Sequence, residues 1–171
     1  GYGINFARPM RIAAANGAPR LQQLTLDTPR LIGGDLGGGA VSVDAGTVVL
    51  GNTYASDGSA LAAVTGDGVF QVTTDTLTLS GKNRVLSGFE RFDATAAQQT
   101  IFGANSETGI LQVAGSVSLV APLITLGGAS HQTLQATGTV YLGGGGAADA
   151  AQAGVAGGFL SIDAAAVTLD T

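Results

Sequence analysis

The stretch LQVAGSVSLVAPLITLGG, residues 111–128, decides the fold. Leu111/Val113, Val117/Leu119 and Ile124/Leu126 are three short apolar pairs, each split by a Gln, Ser or Thr. An apolar residue at every second position is the strand period, in which successive side chains face opposite sides. Turn segments at Ala114–Ser116, Val120–Leu123 and Gly127–Gly128 separate the pairs. Three strands and three corners in one circuit predict a coil of a triangular β-solenoid, with Val113, Leu119, Ile124 and Leu126 facing inward.

Outward from this coil the same phrase recurs: hydrophobic, any residue, hydrophobic, then Asp, Thr or Ala. It reads at Leu24–Asp27, Val41–Asp44, Phe70–Thr73, Glu90–Asp93, Leu111–Ala114, Leu134–Thr137 and Leu160–Asp163, with Glu90 and Ala136 the poorest fits. Most copies are followed by a second apolar triplet running into glycine, as in VVLG at 48–51, ITLG at 124–127 and VYLG at 140–143. The starts are spaced about 23 residues apart on average, within the range of solenoid repeats. A lone coil buries too few aliphatic side chains to offset the entropy of ordering its backbone, so coils must stack. The expected architecture is all-β: a single-stranded right-handed parallel β-helix, about seven coils of about 23 residues. It should occupy residues 21–171, with 1–20 as an N-terminal lead-in and extruded loops near 52–66 and 143–158. The second loop, GGGGAADAAQAGVAGG, is nearly all Gly and Ala and reads as a flexible connector.

Composition narrows the function. The 171 residues are 45% hydrophobic but only 11% charged, with 28 Gly, no Cys and a net charge of −5. Low charge with high hydrophobicity is the reverse of a disordered composition. All seven basic residues lie before residue 92, so the C-terminal half offers no cationic surface to nucleic acid or anionic lipid. No run reaches the roughly 18 apolar residues of a membrane span. Without cysteine, disulfides and thiolate metal sites are excluded. The N-terminus lacks an initiator Met and the apolar core of a signal peptide, so the chain reads as a segment of something longer.

Residues that carry chemistry are scarce. His131 is the single histidine; no G-x-S-x-G elbow accompanies it, and a polar turn position is the plainer reading. Asp27, Asp44, Asp93 and Asp163 share one position of the phrase, and in a stack such carboxylates would fall into a column able to bind calcium. Thr73, Ala114 and Thr137 interrupt that column, and Asp also bonds backbone N–H groups in tight turns, so turn-forming roles are expected and no metal site is. Ser80-Gly81-Lys82-Asn83 lacks the first Gly and the Ser/Thr of a phosphate loop. Lys82, Arg84, Glu90, Arg91 and Asp93 form one mixed-charge cluster; a solvated polar turn is the plainer reading, with a surface patch for binding or cleaving sugar as the alternative. No catalytic residue and no cofactor are expected.

The phrase Ser87-Gly88-Phe89-Glu90-Arg91-Phe92-Asp93-Ala94 and the recurring triplets with Gly and Asp corners resemble the β-helical shafts of filamentous haemagglutinin-like exoproteins and autotransporter passengers. The likeness covers roughly residues 21–171; the Asn-Pro-Asn secretion domain of the two-partner-secreted adhesins is absent from the sequence. The resemblance implies a right-handed parallel β-helix on the surface of, or secreted by, a Gram-negative bacterium. Its implied partners are neighbouring solenoid segments, copies of itself end to end, or host and bacterial surface glycans.

The expectation is therefore a structural shaft segment of an adhesin or extracellular filament, without catalysis. The runner-up is a carbohydrate-binding or carbohydrate-cleaving β-helix. A membrane β-barrel is disfavoured because its strands would need about 9–11 residues and aromatic girdles.

Overall fold

Alternation along the chain is converted into parallel ladders throughout. The computed structural model describes residues 3–54, 63–104, 106–144 and 157–170. These residues form fifteen β-strands and no helix: β1 (Ile4–Phe6), β2 (Met10–Ile12), β3 (Gln23–Asp27), β4 (Arg30–Gly33), β5 (Ala40–Gly51), β6 (Gly68–Leu79), β7 (Arg84–Ser87), β8 (Phe89–Phe102), β9 (Thr108–Val113), β10 (Ser116–Val120), β11 (Leu123–Leu126), β12 (His131–Ala136), β13 (Thr139–Gly143), β14 (Phe159–Asp163) and β15 (Ala166–Asp170). One sheet runs β1-β4-β7-β9-β12-β14. The other runs β15-β13-β10-β8-β6-β5-β2, with β3 beside the far half of β5 and β11 beside the far half of β8. Every pairing is parallel, as a chain climbing one coil per circuit requires.

The long strands β5, β6 and β8 serve two sides of the triangle. β5 pairs β2 over Val41–Val43 and β3 over Thr47–Gly51, turning a corner at Gly46. β6 and β8 turn the same corner with a register irregularity between Thr74 and Thr76. The coil read from the sequence is present as expected: β9, β10 and β11 are its three sides. Leu111, Val113, Val117 and Leu119 are buried, whereas Ile124 and Leu126 are half-buried against the core. Inward columns run coil to coil. Val41, Phe70, Phe92, Val117 and Val140 stand one above another, as do Val43, Val72, Ala94, Leu119 and Leu142.

The fold class is thus the expected all-β parallel β-solenoid, close to the about seven coils of about 23 residues read from the sequence. There are about six turns with a spacing of about 25 residues. The recurring phrase falls on different sides of the triangle: Leu24 and Leu26 pair with Val48 and Leu50, not with Val41 and Val43. It also slips by two residues in places. Val41 and Phe70 align with Phe92 rather than Glu90, and Leu134 aligns with Ile162 rather than Leu160. The solenoid also reaches into the lead-in, because β1 pairs β4 and β2 pairs β5.

The 52–66 excursion has a structural consequence. Where β6 adds a level to the second sheet, the described residues of the first sheet hold no matching strand, and β4 pairs directly with β7. Phenylalanines fill that level: Phe70 lies with ring centroids 6.0 Å from Phe6, 5.5 Å from Phe89 and 5.7 Å from Phe92. Gly88, at φ 79°, lets the backbone pass so close to Gly33 that a Cβ there would overlap the Gly33 carbonyl oxygen. Residues 63–66 pass along the outside instead. Val64 N–H donates to Ser87 Oγ at 2.9 Å, and the Thr65 hydroxyl donates to the Ala114 carbonyl at 2.8 Å. The middle of this loop, 55–62, and most of the Gly/Ala loop, 145–156, lie outside the described residues.

Candidate functional site: an interior arginine and an outer groove

The charged cluster expected from the sequence does not assemble. Lys82 is exposed on the turn before β7, while Arg84 points into the solenoid. Glu90 is the extra residue of an irregularity in which Gly68 pairs Phe89 and Val69 pairs Arg91, which leaves its side chain exposed. Arg91 is held by its own neighbour, Nε donating to Asp93 Oδ2 at 2.7 Å. Two residues apart on one strand, Arg91 and Asp93 share the outer face, which accounts for their pairing.

The four aspartates do not share a column either. Asp44 aligns with Thr73, and Asp93 with Gln71 and Ser118. Asp27 opposes Gly51, and Asp163 opposes Gln135. Each has its own surroundings. Asp27 accepts from both the backbone N–H (2.8 Å) and the hydroxyl (2.5 Å) of Thr53, fastening the turn after β5. Asp44 accepts from Arg11 at 3.4 Å and from Arg20 at 2.9 Å, and Arg20 reaches on to Asp75 at 2.8 Å. The hydrogen bond that Arg20 donates to Asp75, then the one it donates to Asp44, raises the Arg20 pKa. This surface clamp ties three successive coils at one corner. His131 is exposed at the start of β12, its ring edge-on to Phe159 at 5.2 Å.

Arg84 occupies an inward position, in register with Leu111, Leu134 and Ile162. It is 3% exposed. Its Nη1 donates to the Leu50 carbonyl at 3.2 Å and its Nη2 to Gln132 Oε1 at 2.8 Å, while Nε has no partner among the described residues. Gly109 lies so close to the preceding coil that a Cβ there would overlap the Gly81 carbonyl oxygen, and it would also press on the Gln132 side-chain oxygen. Burial pushes the guanidinium pKa down to about 10, opposed by attraction from the Glu107 carboxylate. Glu107 is itself fixed by the backbone N–H groups of Gly81 and Ala104, each at 2.8 Å. A void of about 10 Å³ bordered by Leu26, Thr28, Leu50 and Leu111 adjoins Arg84. The whole assembly is a polar tie between coils, closed to substrates.

A groove open to solvent lies on the outer face of the first sheet. It measures about 340 Å³ and is lined by Gln112, Gln135, Asp163, Thr137, Val113 and Ala136, with Ala63 of the passing segment as its wall. Gln112, Gln135 and Asp163 form one register column, one residue from each of β9, β12 and β14. Gln112 Nε2 donates to Gln135 Oε1 at 2.9 Å. The sequence phrase contained all three residues, but it aligned Leu160 with Leu134 and so displaced Asp163 from its column. Comparison with protein-family models, with curated proteins and with solved structures returns no match for this chain, so the reading of both sites rests on their geometry.

Proposed function

We propose that the segment is a shaft section of a surface-exposed or secreted bacterial adhesin or extracellular filament, working by stiffness and presentation and not by catalysis. One observation carries this reading: in the second sheet the inward apolar columns run unbroken from coil to coil through β5, β6, β8, β10 and β13. Val167 and Leu169 continue the columns of Val140 and Leu142, yet they are 47% and 68% exposed. Stacked in this way, each coil is held by its neighbours, and the stack as a whole makes a stiff rod. The likeness of Ser87–Ala94 to haemagglutinin-type shafts supports the same role; in this fold the phrase spans the Gly88 corner between β7 and β8. Against a carbohydrate-cleaving role, the acids Glu90 and Asp93 meet no converging partner, and Asp93 is committed to Arg91.

The test is to lengthen the rod by whole turns. Val117 and Val140 are equivalent positions, so residues 117–139 make one turn. Four extra tandem copies should lengthen the particle by about 19 Å, at about 4.8 Å per coil, as read by small-angle scattering. Unfolding should remain cooperative. Collapse or aggregation of the lengthened chain would defeat the shaft reading, as would turnover of a polysaccharide that Glu90→Gln or Asp93→Asn abolishes.

A further inference from the structure

We propose that the groove over β9, β12 and β14 is a binding site for a neutral, hydroxyl-rich ligand, a short uncharged oligosaccharide lying along the solenoid axis. The site goes beyond the shaft reading and does not depend on it, since the groove belongs to the folded coils whatever continues them.

The argument starts from what its floor offers. Gln112 and Gln135 consume one donor and one acceptor on each other. That leaves the Gln112 Oε1 acceptor, remaining amide hydrogens on both residues, and the Asp163 carboxylate, which has no hydrogen-bond partner among the described residues. The Thr137 side chain lies at the rim and is exposed. Acceptors and donors therefore follow one another up a column at the strand spacing of about 4.8 Å. A hydroxyl both donates and accepts, so a chain of hydroxyls can satisfy each of these groups in turn.

The lining also excludes other classes. No Lys or Arg borders the groove, and none occurs after residue 91, so an anionic ligand would face Asp163 uncompensated. The floor is the face of a sheet whose backbone groups are spent in ladders between β9 and β12 and between β12 and β14. An extended peptide seeks a free strand edge instead. At about 340 Å³ the opening falls within the range of small-ligand sites, and Ala63 walls it without filling it.

The test is a titration of the whole chain with neutral linear oligosaccharides of glucose, mannose and N-acetylglucosamine, followed by the side-chain amide NMR signals of Gln112 and Gln135. At least one series should give saturable shifts confined to β9, β12, β14 and residues 63–66. Gln135→Ala and Asp163→Ala should each weaken that binding by about tenfold, as loss of one or two hydrogen bonds does. Ala63→Trp should abolish it by filling the groove, with each variant's melting curve showing that the fold is intact. The absence of saturable shifts with every neutral series would overturn the proposal. So would shifts that survive Ala63→Trp, tighter binding of a sulfated oligosaccharide, or preference for an extended acetylated peptide. Failure of the lengthened rod, by contrast, bears only on the shaft.

Discussion

Arg84 is the residue that departs furthest from its surroundings. Its column otherwise holds Leu111, Leu134 and Ile162, so a guanidinium stands where the fold places aliphatics. Two neutral oxygens and a distant carboxylate do not fully compensate a buried cation, which is why burial dominates its lowered pKa. Arg84→Met should therefore leave stability within about 2 kcal/mol of the parent, since relief of the buried charge offsets the loss of donors to Leu50 and Gln132. Gln132→Leu should cost about 3–5 kcal/mol, because the cation stays and loses its closest partner. Urea unfolding of both variants measures the difference. The sign with pH follows from the depressed pKa. Below about pH 10 the group is charged in both states, and its penalty on the fold is constant. Above that, the folded state releases the proton first and the unfolded state binds more, so this group's contribution improves as pH rises. Any advantage of Arg84→Met should accordingly shrink above pH 10, in paired melts of variant and parent.

Among the elements, β10 and β11 show how position in the stack sets the weight of the same pattern. Leu119 on β10 lies between Ala94 and Leu142 and is fully buried. Leu126 on β11 follows the same alternation but, among the described residues, pairs only toward β8, over Phe102, and is half-buried. Leu119→Asp should cost at least about 4 kcal/mol through lost burial and an unpaired charge in the core. Leu126→Asp should cost about 1–2 kcal/mol, because its carboxylate can turn to water. Equal losses in chemical denaturation would mean that β11 is covered as fully as β10. The surface clamp of Arg20 on Asp44 and Asp75 contributes less than either, since exposed ion pairs are screened by salt.

For the molecule as a whole, stability grows by neighbour contacts along the stack, so a position in a terminal coil weighs less than its equivalent inside. Met10 in the first coil continues the Val41 column and is 43% exposed, and β15 is exposed along its length. Leu169→Lys should therefore change stability by no more than about 0.5 kcal/mol in the segment as it stands. With a further coil fused beyond residue 170, the same substitution should cost about 2–4 kcal/mol, because the position then becomes core. Thermal melts of the four proteins form a cycle that reports whether the end is a continuing column. A cost unaffected by the added coil would show that the column stops at Leu142.

The sequence by itself determined the strand period, the three sides and corners of a coil, and its inward residues, among them Val113, Leu119, Ile124 and Leu126, of which the stack leaves the last two half-buried. Each follows from local alternation broken by turn residues. It also made phosphate, thiolate and cationic-surface chemistry improbable through composition alone. Register was decided by the tertiary structure. A slip of one residue turns a strand inside out, whereas a slip of two preserves which side chains face the core, so local pattern is blind to it. That blindness placed Glu90 where Phe92 belongs and Leu160 where Ile162 belongs. It also made an aspartate column that does not exist and concealed the Gln112–Gln135–Asp163 column that does. Arg84 was legible as a charge but not as an interior one, because only the stacking of β7 under β9 puts it beneath Leu111.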